Sequence, residues 1–254
     1  MTRVGVLGAD GRMGRVVCAA VQAHPELELA AAVDPSSAGA RAGDVEIAAD
    51  EQALVDQKVE VAVDFTRPDA VMDNVRFGVE SGIHTVVGTT GIGPDRLHEI
   101  RGWLRQRGDV GVIVAPNFAV GAVIGQRLAE QAARIFAAVE IIELHHDQKA
   151  DAPSGTAAAT ARRIAEARTQ AWSGPTGGEA YRGGEVEGIR VHSVRLPGLV
   201  AHQEVIFGAQ GQTLTIRHDA PDRTCYLPGI FLAIREAPRR PGLTVGIEPL
   251  LGLD

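Results

Sequence analysis

Arg3–Gly14, reading R-V-G-V-L-G-A-D-G-R-M-G, joins a short apolar run to a Gly-x-x-Gly-x-x-Gly turn. Apolar residues then recur at Met13, Val16, Val17, Ala20 and Val21, the period of one helix face. A strand, a glycine turn and a helix in that order make a dinucleotide-binding unit. The glycines let backbone approach a pyrophosphate, and the helix N-terminus meets its charge with unpaired N–H groups. Gly8, Ala9, Asp10, Gly11, Arg12 and Met13 are the candidate contacts. Glycine spacing alone is common in unrelated chains; the flanking strand and the amphipathic helix carry this reading.

Working outward, the next apolar run, Leu27–Val33, ends in Asp34. A carboxylate there accepts hydrogen bonds from ribose hydroxyls and repels a 2′-phosphate. NADH is therefore expected to be preferred, with NADPH usable because Arg12 offers a compensating charge. The alternative for Asp34 is a turn cap before Pro35. Strands then follow at Val59–Phe65, His84–Val87 and Gly111–Ala115, separated by helical stretches. They run into Asp64-Phe65-Thr66, Gly88-Thr89-Thr90 and Ala115-Pro116-Asn117-Phe118. In a doubly wound parallel sheet those carboxyl ends hold the ligand. Thr89, Thr90 and Asn117 can bond an amide or ribose, and Phe65 or Phe118 can pack near a ring. Read singly, each loop is also an ordinary strand-to-helix turn.

Composition narrows the class. Across 254 residues, 45% apolar and 22% charged content is ordinary for a globular protein, with room for two modest domains. A net charge of −7 argues against a nucleic-acid partner. No long uncharged apolar run is present, so no membrane span is expected. Met1-Thr2-Arg3 leads directly into the first strand, and a cytoplasmic location is the expectation. Cys18 and Cys225 lie far apart and are expected to be free thiols.

In the second half, an apolar-rich helix is expected over Val120–Ala137, then a strand over Val139–Leu144. That strand delivers E-L-H-H-D-Q-K-A-D-A-P-S-G-T, residues 143–156. Two histidines and a lysine fall within five residues, before a helix running from about Gly155 to Arg168. Ser154 is placed to cap it. Gly155 and Thr156 at its start suit a carboxylate. The same letters also fit a solvated strand end followed by an ordinary cap. A metal site is not expected: adjacent strand histidines point oppositely, and neither H-E-x-x-H nor C-x-x-C occurs. Trp172–Glu187 reads as a loop. Ile189–Leu196, Ala201–Phe207 and Gln212–His218 read as strands, with Gly208–Gly211 as a hairpin turn. Pro228-Gly229 opens a final helix with Ile230, Phe231, Leu232 and Ile234.

H-H-D-Q-K-A-D-A-P-S-G-T-A, residues 145–157, strongly resembles the signature of the 4-hydroxy-tetrahydrodipicolinate reductase (dihydrodipicolinate reductase) family. Its members are nicotinamide-dependent enzymes of the diaminopimelate–lysine pathway. The likeness extends over essentially the whole chain and is weakest in the loop after Trp172. It implies an α/β chain: a Rossmann-type doubly wound parallel sheet with an inserted α+β domain of mainly antiparallel sheet. Residues 1–119 with 229–254 would bind the dinucleotide, and 120–228 would bind substrate and mediate oligomerisation, as a homotetramer. It further implies His145 as general acid, Lys149 as second proton donor, and His146, Gly155 and Thr156 as contacts to a small dicarboxylate.

Two other classes are weighed. A catalytically silent NAD(P)-sensing regulator would need no proton donor, so His145 with Lys149 speaks against it. A semialdehyde dehydrogenase of similar layout needs a thiol nucleophile with a base nearby, which neither cysteine offers in sequence.

Overall fold

The computed structural model describes residues 1–170, 174 and 181–253. Two compact units are present, Met1–Ala119 with Tyr226–Asp254, and Val120–Cys225.

In the first unit the chain alternates strand and helix: β1 (Thr2–Leu7), α1 (Arg12–Ala23), β2 (Leu27–Val33), β3 (Arg41–Ala42), β4 (Val45–Ala48), α2 (Gln52–Asp56), β5 (Val61–Asp64), α3 (Val71–Ser81), β6 (His84–Val87), α4 (Pro94–Leu104) and β7 (Gly111–Val114). The sheet order is β13-β7-β6-β5-β1-β2-β4-β3, where β13 is Gly242–Val245. Every pairing is parallel except β3 with β4. Central strands covered on both faces read as continuous apolar runs. Val4, Val6, Val61, Val63, Val86, Val87, Val112 and Ile113 are accordingly solvent-free.

The chain leaves β1 for β2 and β4, then returns to the other side of β1 with β5. That reversal opens a crevice at the carboxyl ends of β1 and β5. α1 buries Gly14, Val17, Cys18 and Val21; of the expected stripe Val17 and Val21 are buried, whereas Met13, Val16 and Ala20 are half-buried, because the buried face is turned toward Gly14 and Cys18. Gly82 ends α3 in the left-handed region at φ +77°, a C-terminal stop that glycine makes without strain. β3, β4, α2 and β13 were not expected from the sequence. All four are short, and β4 and β13 enter the sheet beside β2 and β7, partners outside any local window.

The second unit holds α5 (Val120–Ala133), β8 (Ala138–His145), α6 (Gly155–Ala167), β9 (Gly184–Val186), β10 (Ile189–Arg195), β11 (Ala201–Ala209) and β12 (Gln212–Ala220). α5 stops four residues short of the expected Ala137, because the backbone must extend into β8 at Ala138. The sheet order is β12-β11-β8-β10-β9, and only β8 with β10 runs parallel. Ile141, Val191, Val205 and Phe207 pack with Ala157, Ala161 and Ile164 of α6 into one core. Ala209 pairs with Gln212, so β11 and β12 join through Gln210-Gly211, with Gly211 at φ +77°. Of the loop read over Trp172–Glu187, residues 172, 173 and 175–180 lie outside the described residues, and β9 occupies part of the remainder. α7 (Leu227–Glu236), the expected final helix, returns to the first unit and buries Ile230 and Ile234.

Candidate active site

At the carboxyl end of β1 the turn is built by steric exclusion. A Cβ on Gly14 would stand 1.9 Å from the Gly8 carbonyl oxygen, and one on Gly8 would meet the Phe65 carbonyl at 2.7 Å. Gly11 is the N-cap of α1, and no side chain caps the helix. No acidic residue lies in the first turn. Unpaired amides at an uncapped helix end are a ready anion site. The residues present therefore fit a nicotinamide dinucleotide's pyrophosphate. Arg12 beside it is exposed, Met13 half-buried and Ala9 buried.

Asp34 lies next to this turn. Its Oδ2 accepts from the Asp10 amide at 3.1 Å, and its Oδ1 from the Ser36 amide at 3.1 Å and hydroxyl at 2.6 Å. The Asp10 carboxylate accepts from the Ser37 hydroxyl at 2.6 Å and pairs with Arg15. Those bonds to Arg15 and Ser37 hold the Asp10 carboxyl below its ordinary pKa. Asp34 thereby caps the turn over Pro35–Ser37, the alternative read for it from the sequence, and the Asp10 amide joins it to the glycine turn.

The loops after β5, β6 and β7 converge as well. Phe65 and Phe118 meet as tilted rings, 6.0 Å between centroids and 56° between planes, and a Cβ on Gly88 would strike the Phe65 ring at 2.2 Å. Thr89 is buried, and its hydroxyl donates to Asp64 at 2.7 Å. Asp64 is solvent-free and also gathers the Thr66 amide and hydroxyl and the Asn74 amide. The Asn117 carbonyl caps its own turn by accepting from Ala119 N at 2.9 Å. Ala115 is buried, whereas Thr90 and Pro116 are exposed.

The second unit holds the histidine signature. β8 ends at His145, whose Nδ1 lies 2.5 Å from Glu143 Oε2. Glu143 is 0% exposed. Parallel pairing sets Arg195 of β10 beside His145. Its guanidinium forks onto Glu143, Nη1 to Oε2 at 2.8 Å and Nη2 to Oε1 at 2.7 Å. The Ser154 amide donates to Glu143 Oε1 at 3.2 Å, and Arg195 Nη2 donates to the Asp151 carbonyl at 2.7 Å. The signature loop is thereby drawn back over the strand end. Burial alone would raise the Glu143 carboxyl, but bonds from Arg195, Ser193 and His145 outweigh it and hold it low. Burial pushes the His145 imidazole below its ordinary value; the Glu143 bond opposes this, and the Lys149 and Arg195 charges add to it.

Lys149 Nζ pairs with Asp151 at 2.7 and 2.9 Å. Asp151 is well exposed, so this pair is weak and its ammonium can be drawn to another anion. Ser154 caps α6 as expected, its hydroxyl accepting from Ala157 N at 3.2 Å. Among the described residues, the Gly155 and Thr156 amides have no hydrogen-bond acceptor. His145, Lys149 and this helix end therefore share one corner of the unit. The His146 ring takes no part in the network.

Sequence reading assigned no role to Glu143 or Arg195. The signal for Glu143 was present: positions 143 and 145 share one face of a strand. Arg195 carried none, because its register against β8 is a long-range fact. Both thiols are unsuited to nucleophilic work. Burial raises Cys18 to about 12 and pushes Cys225 upward.

Family models extend these findings along the chain. Residues 2–118 match "Dihydrodipicolinate reductase, N-terminus" and residues 121–251 match "Dihydrodipicolinate reductase, C-terminus". A 4-hydroxy-tetrahydrodipicolinate reductase from Nocardia farcinica is 55% identical, covering 99% of each chain. One from Mycolicibacterium gilvum is 54% identical with the same coverage. Among solved structures, a dipicolinate-bound dihydrodipicolinate reductase from Paenisporosarcina sp. TG-14 superposes with a TM-score of 0.88 at 37% identity, covering 98% of this chain and 99% of that one. An amine dehydrogenase from Mycobacterium smegmatis shares the fold alone, at 14% identity and a TM-score of 0.64. With both of its halves matched and with relatives alike from end to end, the chain belongs to the 4-hydroxy-tetrahydrodipicolinate (dihydrodipicolinate) reductase family.

Proposed function

We propose that the chain reduces (2S,4S)-4-hydroxy-2,3,4,5-tetrahydrodipicolinate to tetrahydrodipicolinate with loss of water, in diaminopimelate and lysine biosynthesis. The observation that carries this is the corner where His145, Lys149 and the open start of α6 meet. Bound NAD(P)H supplies a hydride. The first unit holds it through Gly8–Met13, Asp34, Phe65, Gly88-Thr89-Thr90 and Ala115–Phe118.

The second unit supplies protons and anion anchors. Hydride addition at C4 of the unsaturated ring leaves an anionic centre that must take up a proton. His145 gives that proton from Nε2 and regains one from water. The free imidazole is biased to its neutral form, and a dianionic substrate beside it raises its proton affinity. The acid is thus loaded by the substrate it serves. Lys149 offsets the developing charge and is the second donor. The Gly155 and Thr156 amides hold one carboxylate, and His146 contacts the substrate.

NADH is the preferred partner in this reading, because the Asp34 and Asp10 carboxylates oppose a 2′-phosphate. A homotetramer is supported by β12, an edge strand with Leu214 39% exposed. No helix among the described residues is long and apolar enough to cross a membrane. The reading includes a cytoplasmic location. No comparison favours a catalytically silent sensor.

The test is loss of reduced-nicotinamide absorbance on adding freshly generated cyclic substrate. A preparation that binds NADH yet shows no substrate-dependent loss would sink the reading. Light scattering at four times the chain mass tests the tetramer.

A further inference from the structure

We propose that Glu143, gripped by Arg195, is the positioning carboxylate of His145: it keeps a hydrogen on Nδ1 and so commits Nε2 to the reaction. The proposal rests on the reading of His145 as proton donor.

Three facts of geometry carry it. Glu143 and His145 stand two residues apart on one strand and so share a face, and their side chains meet at 2.5 Å. Arg195 reaches both Glu143 oxygens at 2.7 and 2.8 Å from the neighbouring parallel strand, where its register opposite His145 sets it beside the pair. Ser154 N adds a third donor to the same carboxylate.

The chemistry of these donors decides the protonation pattern. A guanidinium has no acceptor, so both oxygens forked by Arg195 must themselves accept. A proton on Glu143 would compete with that fork, and the group is therefore a carboxylate. A ring nitrogen 2.5 Å from a carboxylate oxygen must then carry the hydrogen between them. His145 is fixed as the Nδ1–H tautomer, leaving Nε2 as the atom that takes up and delivers a proton. Glu143 does not exchange one. It orients the ring and stabilises the imidazolium, as a buried carboxylate does behind a catalytic histidine.

Arg195 has the opposite influence on the imidazole. It neutralises a carboxylate that has no water, which would otherwise be costly to bury. It also prevents Glu143 from making the imidazole too basic to release its proton. The other charged group facing His145 is Lys149 on the signature loop, itself paired with Asp151. From β11 the opposing residue is Ala201, which does not ionise. Because Glu143 also holds Ser154 N at the head of α6, one carboxylate sets the proton donor and aligns the helix end that receives substrate.

Two measurements test the proposal. In the unmodified protein, long-range ¹H–¹⁵N correlation of the His145 ring should show the neutral form protonated at Nδ1. A neutral ring protonated at Nε2 would overturn the proposal without any variant having to fold. In kinetics, the general acid must be protonated, so kcat/KM falls as pH rises through the His145 titration. Glu143→Gln removes the stabilising charge and should move that limb to lower pH by about one unit or more, with kcat down roughly 10²-fold. Arg195→Met should move the limb toward higher pH. A scaffold role alone would lower activity without opposite shifts, so limbs that stay put or move together would overturn the proposal. A separate control isolates the underlying reading. Full turnover in His145→Gln, with the Nδ1–H tautomer still seen in the parent protein, would remove His145 as proton donor and the catalytic half of the proposal with it.

Discussion

Glu143 Oε2 lies 2.5 Å from His145 Nδ1, although neither the strand nor the loop beyond it could hold such a carboxylate in place unaided. Arg195, 52 residues further along the chain, completes the arrangement. A local motif supplies the proton donor, and a long-range strand pairing makes it usable.

Substituting His145 should separate chemistry from binding. Removing a general acid costs on the order of 10²–10⁴ in rate. His145→Gln is expected to lose turnover on that scale and to keep its affinity for NADH, whose candidate contacts all lie in the other unit. Steady-state kinetics beside a fluorescence titration of NADH decide it. Parallel losses in both would count against the assignment.

Folding stability should fall on the acid side of neutrality. The native His145 imidazole titrates below its ordinary value of 6.5, so the unfolded chain takes up a proton at a pH where the native chain does not. Its stabilising contribution is full above about 6.5 and is lost as pH falls through the native value. Glu143 acts lower down, with stability present above its ordinary 4.5 and lost as pH falls through its depressed value. Urea melts from about pH 8 down to about pH 2 should show both phases, and His145→Gln should lack the first.

The glycine turn allows a steric test. Gly14→Ala places a methyl group 1.9 Å from a backbone oxygen that cannot swing aside. Overpacking of this kind costs about 1–3 kcal/mol. A lowered Tm together with weakened NADH binding is expected from thermal melts and titration. Unchanged values for both would remove the turn from the cofactor site.

Cofactor choice should follow charge. Asp34→Ala combined with Ser36→Arg removes a carboxylate and adds a cation beside the ribose site. A change of about 1.4 kcal/mol gives a tenfold shift. The ratio of kcat/KM for NADPH to that for NADH should rise by about that factor or more. A ratio that does not move would show that another group sets the preference.

Much of the architecture was legible in letters, for reasons that differ by region. Val4, Val6, Val61 and Val63 read as strands because strands buried on both faces must be apolar throughout. Gly8 and Gly14 read as turn residues because no side chain fits so close to backbone. The small strands β3, β4 and β13 gave no comparable sign. A pairing of two to four residues gains its stability from the neighbour it finds; for β4 and β13 that neighbour is remote in sequence, and the two residues of β3 are too few to show a period.

From the letters alone came the β1–turn–α1 unit with its glycines, the capped start of α6 and the closeness of His145 and Lys149. All of these follow from periodicity, backbone freedom and short spacing, which act within a dozen residues. Folding alone set the Asp64 carboxylate against Thr89, 25 residues on, and forked Arg195 onto Glu143, 52 residues away, behind the imidazole. Those contacts join residues far apart along the chain. Their register is set by packing of whole strands, so no local pattern could announce them.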